Sequence, residues 1–199
     1  MNRTDLLQYI STLRNSDPMI ISPGLANYPI AQAKDEPLTI YNMDMPYTTP
    51  MALGMALGWP ERKVIAIEGD GSLLAGPGVL STIARYRPKN LLIFVCDNGA
   101  YLTTGSGKAP TATVFGTDIE QLARAAGMEN CLTVSELNAA KQAVNVAFTE
   151  PGPWLLVAKV DKQDRPLERG AHTLPMYVYE AGLIFHRAAL QTRSIKEHH

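Results

Sequence analysis

The chain has 199 residues, 46% of them hydrophobic, and a formal net charge of −1 at pH 7, which suits one sizeable α/β core and is too short for two full cofactor-binding domains. Near-neutral charge with no Lys/Arg-rich block argues against a nucleic-acid or anionic-membrane partner. The two cysteines, Cys96 and Cys131, lack metal-ligand spacing and argue against an iron–sulfur cluster and for a reducing compartment. With neither a signal peptide nor a membrane-length apolar run in view, a cytoplasmic location is expected.

Residues 4–13 place Leu6, Leu7, Ile10 and Leu13 at helical spacing, with Thr4 or Asp5 as the cap. Met19, Ile20 and Ile21 then read as a first strand, turned by Pro23-Gly24, with a helix starting in 25–33. A second strand is expected over 40–43. Residues 51–58 are apolar at nearly every position and predict a buried helix whose Ala52, Gly54 and Ala56 admit a close neighbour; Pro60 ends it. Two short apolar runs follow, Val64 to Ile67 and Leu91 to Val95. Each is bounded by turn residues and reads as a buried parallel strand. Between them lies a helical segment over 72–86, interrupted at Gly76-Pro77-Gly78. Cys96 sits in the second run as a buried small hydrophobe. Beyond it, residues 101–108 are polar and glycine-rich. Asp118 caps a helix that Gly127 closes, residues 135–148 predict another, and residues 154–160 the last core strand. The alternation predicts an open, doubly wound parallel sheet with helices on both faces. Beyond Asp161 the pattern stops, leaving a charged loop and a terminal helix over 176–190. The organisation expected is one domain over 1–165 and a tail over 166–199 that contacts a partner.

Both apolar runs end in polar triplets, Gly69-Asp70-Gly71 with Ser72 behind it and Asp97-Asn98-Gly99. A carboxylate and an amide oxygen at neighbouring strand ends make a hard-oxygen site suited to Mg²⁺, which keeps water or phosphate oxygens in its other positions. Twenty-six residues separate Gly71 from Asn98, and the pair resembles the thiamine diphosphate motif. That resemblance implies Asp70, Asn98 and the main-chain carbonyl of Ala100 as ligands of a divalent cation on the cofactor's diphosphate. Asp97 stands where most relatives have Asn, at the less direct position.

The resemblance covers nearly all of 1–165 and corresponds to the diphosphate-binding half of thiamine diphosphate enzymes. The phrases Glu68-Gly69-Asp70-Gly71-Ser72-Leu73-Leu74, Arg87-Pro88-Lys89-Asn90-Leu91 and Asp97-Asn98-Gly99-Ala100-Tyr101 are most similar to the β subunits of sulfopyruvate decarboxylases and their phosphonopyruvate relatives. It implies thiamine diphosphate and Mg²⁺ as cofactors and non-oxidative removal of CO₂ from a 2-oxo acid to give an aldehyde. It further implies a cofactor-binding set of Gly24, Leu25, Met45, Gly69, Asp70, Gly71, Ser72, Leu73, Asn98, Ala100, Tyr101, Leu102 and Thr103, with Met45 wedged beneath the cofactor and Tyr101 and the threonines after it on the substrate side. The Glu that activates the cofactor's aminopyrimidine belongs to a pyrimidine-binding domain, for which this chain has no room. It is expected on a separate partner subunit, in a hetero-oligomer; Glu36 and Glu68 lack the context to replace it. His172, in a loop, is a candidate proton donor, against the commoner surface role. Two alternatives stay open: a carboligase subunit of acetolactate synthase type, and a cofactor-binding partner without catalysis.

Overall fold

The computed structural model describes residues 1–102, 109–162 and 178–194. Its strands are β1 (Met19–Ile21), β2 (Thr39–Ile40), β3 (Val64–Gly69), β4 (Leu91–Asp97), β5 (Ala100–Tyr101), β6 (Ala109–Pro110), β7 (Asn130–Val134) and β8 (Trp154–Lys159). Six of them form one parallel sheet in the order β2-β1-β3-β4-β8-β7, while β5 and β6 make a separate antiparallel ribbon. The doubly wound sheet expected from the alternating pattern is present.

The two-residue period of extended chain sends successive side chains to opposite faces. On one face, Ile20, Ala66, Ile93, Val95 and Val157 pack with Ala52, Leu53, Leu80, Ile83 and Ile119. These belong to α3 (Thr48–Gly58), α5 (Val79–Tyr86) and α6 (Ile119–Ala125). On the other face, Ile21, Ile67, Leu92, Phe94 and Leu156 meet Leu6, Leu7, Ile10, Ile30 and Val144, from α1 (Arg3–Leu13), α2 (Asn27–Ala33) and α7 (Leu137–Thr149). Burial on both faces explains why β3 and β4 read as unbroken apolar runs rather than alternating ones.

Several expectations shift. Asn2, one turn earlier than expected, caps α1 by accepting from Asp5 N at 3.2 Å. The second strand stops at Ile40 because Asn42 turns left-handed, with φ +52°. The helix expected over 51–58 begins at Thr48 and is buried on one side only: Ala52 and Ala56 face the core, Leu57 is exposed, and a Cβ added to Gly54 would meet nothing within 4 Å. Among the described residues, Gly54 therefore serves no close approach. The segment over 72–86 is two helices, α4 (Asp70–Leu74) and α5, split at the interrupting glycines. β7 was not foreseen; its outer position leaves Leu132 exposed, so it lacks an apolar run.

The terminal helix, α8 (Val178–Ser194), returns to its own domain, burying Ala181 and Phe185 beside β2. Its Tyr179, Leu183 and Leu190 remain exposed. Among the described residues no helix is long and apolar enough to cross a membrane.

Candidate functional site

From β1 the chain runs outward to β2 and then returns to β3 on the other flank of β1, so the direction of winding reverses between β1 and β3. Crevices at such switch points, beyond the carboxyl ends of the strands, are where open α/β sheets hold ligands. Here the crevice is a cavity of about 160 Å³. One wall is the turn after β1, where Gly24 takes φ +120° and the Asn27 carboxamide donates to Ser22 O at 2.9 Å and Gly24 O at 2.8 Å. The other is the end of β3, where Gly69 N donates to Ser22 Oγ at 3.1 Å and fixes the two walls together.

Asp70 opens α4 and is buried. Its Oδ2 accepts from Thr111 Oγ1, and from Thr113 Oγ1 at 3.0 Å. Burial lifts this carboxyl above its ordinary range; the threonine hydroxyls oppose the lift and the nearby Asp97 adds to it. Thr113 Oγ1 also lies 2.8 Å from Asp97 Oδ1, so its one proton is shared between the two carboxylates, and Asp97 Oδ2 pairs with Lys159. Asp97 is thus tied into the scaffold. Asn98 Oδ1 accepts from Ala100 N at 2.9 Å, an Asx turn that Gly99 completes at φ +67°. The β5–β6 ribbon and the bond from Thr111 N to Gly99 O, 3.1 Å, bring the two threonines back to Asp70.

Of the residues singled out in the sequence, Gly24, Leu25, Met45, Gly69, Asp70, Gly71, Ser72, Asn98, Ala100, Tyr101 and Leu102 all line this one cavity. Met45 is 41% exposed, so it is no core residue. Leu73 belongs instead to the core, where it is 2% exposed. Thr103 and His172 lie outside the described residues. Glu68 does reach the cavity wall, but its Oε1 accepts from Thr49 N at 3.0 Å and Thr49 Oγ1 at 2.7 Å. Burial raises its carboxyl above the ordinary range, opposed by Ser72 and Thr49.

Arg3, Thr111 and Thr113 escaped sequence reasoning. Arg3 had one signal: it falls at i on the stripe Leu6, Leu7, Ile10, where an apolar residue is expected. The threonines reach Asp70 across 41 and 43 positions, and no local pattern reports that.

The walls suit a diphosphate and its cation. Ser72 Oγ is buried with no partner at full hydrogen-bond geometry, and the Ser22 hydroxyl, which accepts from Gly69, keeps its proton to donate. A Cβ on Gly71 would stand 2.6 Å from Tyr101 Cζ, so only glycine lets the ring close over the turn. Among the described residues no three His, Cys, Asp or Glu side chains could hold a metal. The oxygen donors at the two strand ends, one carboxylate with amide and main-chain oxygens, fit the chemistry of Mg²⁺ better than that of a softer ion.

Comparison with known proteins agrees. Residues 26–158 match the family model described as thiamine pyrophosphate enzyme, C-terminal TPP binding domain. The chain is 33% identical over 159 residues to the sulfopyruvate decarboxylase subunit beta of Methanocaldococcus jannaschii, covering 79% of this chain and 82% of that one. It is 31% identical to the sulfopyruvate decarboxylase of Methanosarcina acetivorans, over 91% of this chain but only 45% of that longer protein. The fold recurs in the thiamine diphosphate-dependent 4-hydroxybenzoylformate decarboxylase of Rhodococcus jostii RHA1, at a TM-score of 0.66 and 19% identity, over 81% of this chain and 33% of that one. With these matches, the chain belongs to the thiamine pyrophosphate enzymes, carrying their C-terminal TPP-binding domain and grouping with the decarboxylases, which are lyases.

Proposed function

We propose that the chain is the thiamine diphosphate-binding subunit of a two-component, non-oxidative 2-oxo acid decarboxylase, acting on a sulfopyruvate- or phosphonopyruvate-like substrate. One observation carries the reading: the carboxylate of Asp70 and the amide of Asn98, from adjacent strand ends, line one switch-point cavity with the Gly71-Ser72 turn. The beta-subunit name of its relative supports a separate partner chain.

In this reading Asp70, Asn98 and the Ala100 carbonyl hold Mg²⁺, and the N–H groups of Gly71 and Ser72 face the phosphates from the start of α4. Gly24 and Leu25 flank the diphosphate from the other wall. Met45 supports the cofactor from below, and Tyr101, Leu102 and Thr103 bound the substrate side. When bound, thiamine diphosphate supplies the electron sink that lets CO₂ leave a 2-oxo acid. This chain's task is to bind, orient and keep water out; the activating Glu comes from the partner's pyrimidine-binding domain.

Calorimetric titration of thiamine diphosphate with Mg²⁺ into the chain, alone and with its co-purifying partner, followed by assay of CO₂ release from sulfopyruvate and phosphonopyruvate, tests the reading. Binding that tightens with the partner and is accompanied by CO₂ release is expected. CO₂ release without free aldehyde, the carbanion left by decarboxylation adding instead to a second carbonyl compound, would favour a carboligase. No binding in either condition overturns the proposal.

A further inference from the structure

The first helix carries one residue out of keeping with its stripe. Arg3, Leu6, Leu7 and Ile10 share a face of α1, and the three apolar side chains enter the core. Arg3 is buried with them, 5% exposed. Bringing a guanidinium inside is costly, and burial does hold it below the usual arginine range. It nonetheless keeps its charge at neutral pH, as arginines in proteins do.

Its position is fixed by the start of the chain. The Met1 amino group donates to Lys159 O at 3.1 Å, and Met1 O accepts from Asp161 N at 3.0 Å. Those contacts pin the residues before α1 beyond the carboxyl end of β8, at the same edge of the sheet as the cavity. Two residues later Arg3 lines the same cavity as Gly69, Asp70 and Ser72. Among the described residues that line the cavity, Arg3 is the one cationic side chain.

Charge gives that placement a purpose. A diphosphate ester carries about three negative charges near neutral pH, since the second ionisation of a terminal phosphate falls near 6. A divalent cation held by the Asp70 carboxylate offsets only about one of them on balance. The excess negative charge would sit in a half-open cavity whose lining is mostly apolar, where water screens it only in part. A guanidinium is suited to such a group, because its planar fork donates two parallel hydrogen bonds to phosphoryl oxygens.

We infer that Arg3 is a direct phosphoryl-binding residue, contributing from the first helix a second cationic contact to the diphosphate whose Mg²⁺ is held by Asp70 and Asn98. The inference rests on the cofactor reading above and deepens it.

The test is calorimetric titration of inorganic pyrophosphate and of thiamine diphosphate, each with saturating Mg²⁺, into the full chain with its co-purifying partner. Arg3→Gln and Arg3→Lys are compared with wild type, and melting curves establish that each variant is folded. Arg3→Gln should lose roughly ten- to a hundred-fold in affinity for both probes, the range of a charge-assisted hydrogen bond. Arg3→Lys, which keeps the charge without the fork, should fall between Gln and wild type, and it stands as the test if Arg3→Gln does not fold. Wild-type affinity in a folded variant overturns the inference and leaves the cofactor reading standing. A raised KM for the 2-oxo acid with unchanged pyrophosphate affinity also overturns it, assigning Arg3 to the substrate. If wild type binds neither probe, the cofactor reading fails and takes this inference with it.

Discussion

Thr111 and Asp70 show how a single hydroxyl sets up a carboxylate. The threonine donates to Oδ2 of a buried acid whose ionised form burial disfavours, so removing the donor leaves that oxygen with only the Thr113 hydroxyl, which lies at least as close to Asp97. Thr111→Val, nearly isosteric, should cost about 1–3 kcal/mol in stability and raise the Mg²⁺ concentration needed for cofactor binding; Thr111→Ser should restore both. Metal titration followed by calorimetry checks this. Gly71→Ala is expected to leave the fold intact but push the Tyr101 ring off the turn, weakening thiamine diphosphate binding by at least about tenfold, or about 1.4 kcal/mol. A variant that binds normally would mean that the ring does not close the site. The cysteines give a pH prediction. Burial lifts both Cys96 and Cys131 from 9.0 to about 11, so at pH 8 thiolate is about a hundred-fold scarcer than in an ordinary cysteine. Neither should react with iodoacetamide in the native protein, and both should react in guanidinium.

At the scale of elements, legibility follows burial. β1, β3, β4 and β8 are recognisable because both faces are covered, which forces continuous apolar runs that turn residues can bound. β7 has Asn130 at its start and an exposed Leu132, and it looks like loop to any local test. The same logic divides the site. Asp70 and Asn98 were readable because each directly follows a strand, whereas Arg3, Thr111 and Thr113 reach the cavity only through tertiary folding. α8, expected from the sequence to contact a partner, also serves its own core with part of its surface. Phe185→Ala should therefore cost about 3 kcal/mol, lowering the melting temperature by roughly 6–12 °C for a chain of this size. An unchanged melting temperature would mean that α8 contributes nothing to the stability of its own domain.

Across the whole molecule, the cavity draws on segments far apart in the chain: α1, the turn after β1, Met45, the end of β3 and the start of α4, and the stretch from Cys96 to Leu102. Because the switch point lies between β1 and β3, the winding toward β2 and the winding toward β4, β8 and β7 meet only there. A ligand in the cavity is thus a staple across the seam between two halves of the sheet. At one hundred times its dissociation constant it adds about 2.7 kcal/mol to the folded state, a rise of roughly 5–11 °C in melting temperature. Differential scanning calorimetry with and without thiamine diphosphate and Mg²⁺ measures that gain, which Asp70→Ala should abolish. Since neither half retains a complete wall by itself, loss of either by local unfolding releases the ligand. Ligand release then reports the cooperativity of the entire sheet, and a cell starved of the cofactor would hold this protein in a form more readily opened and degraded.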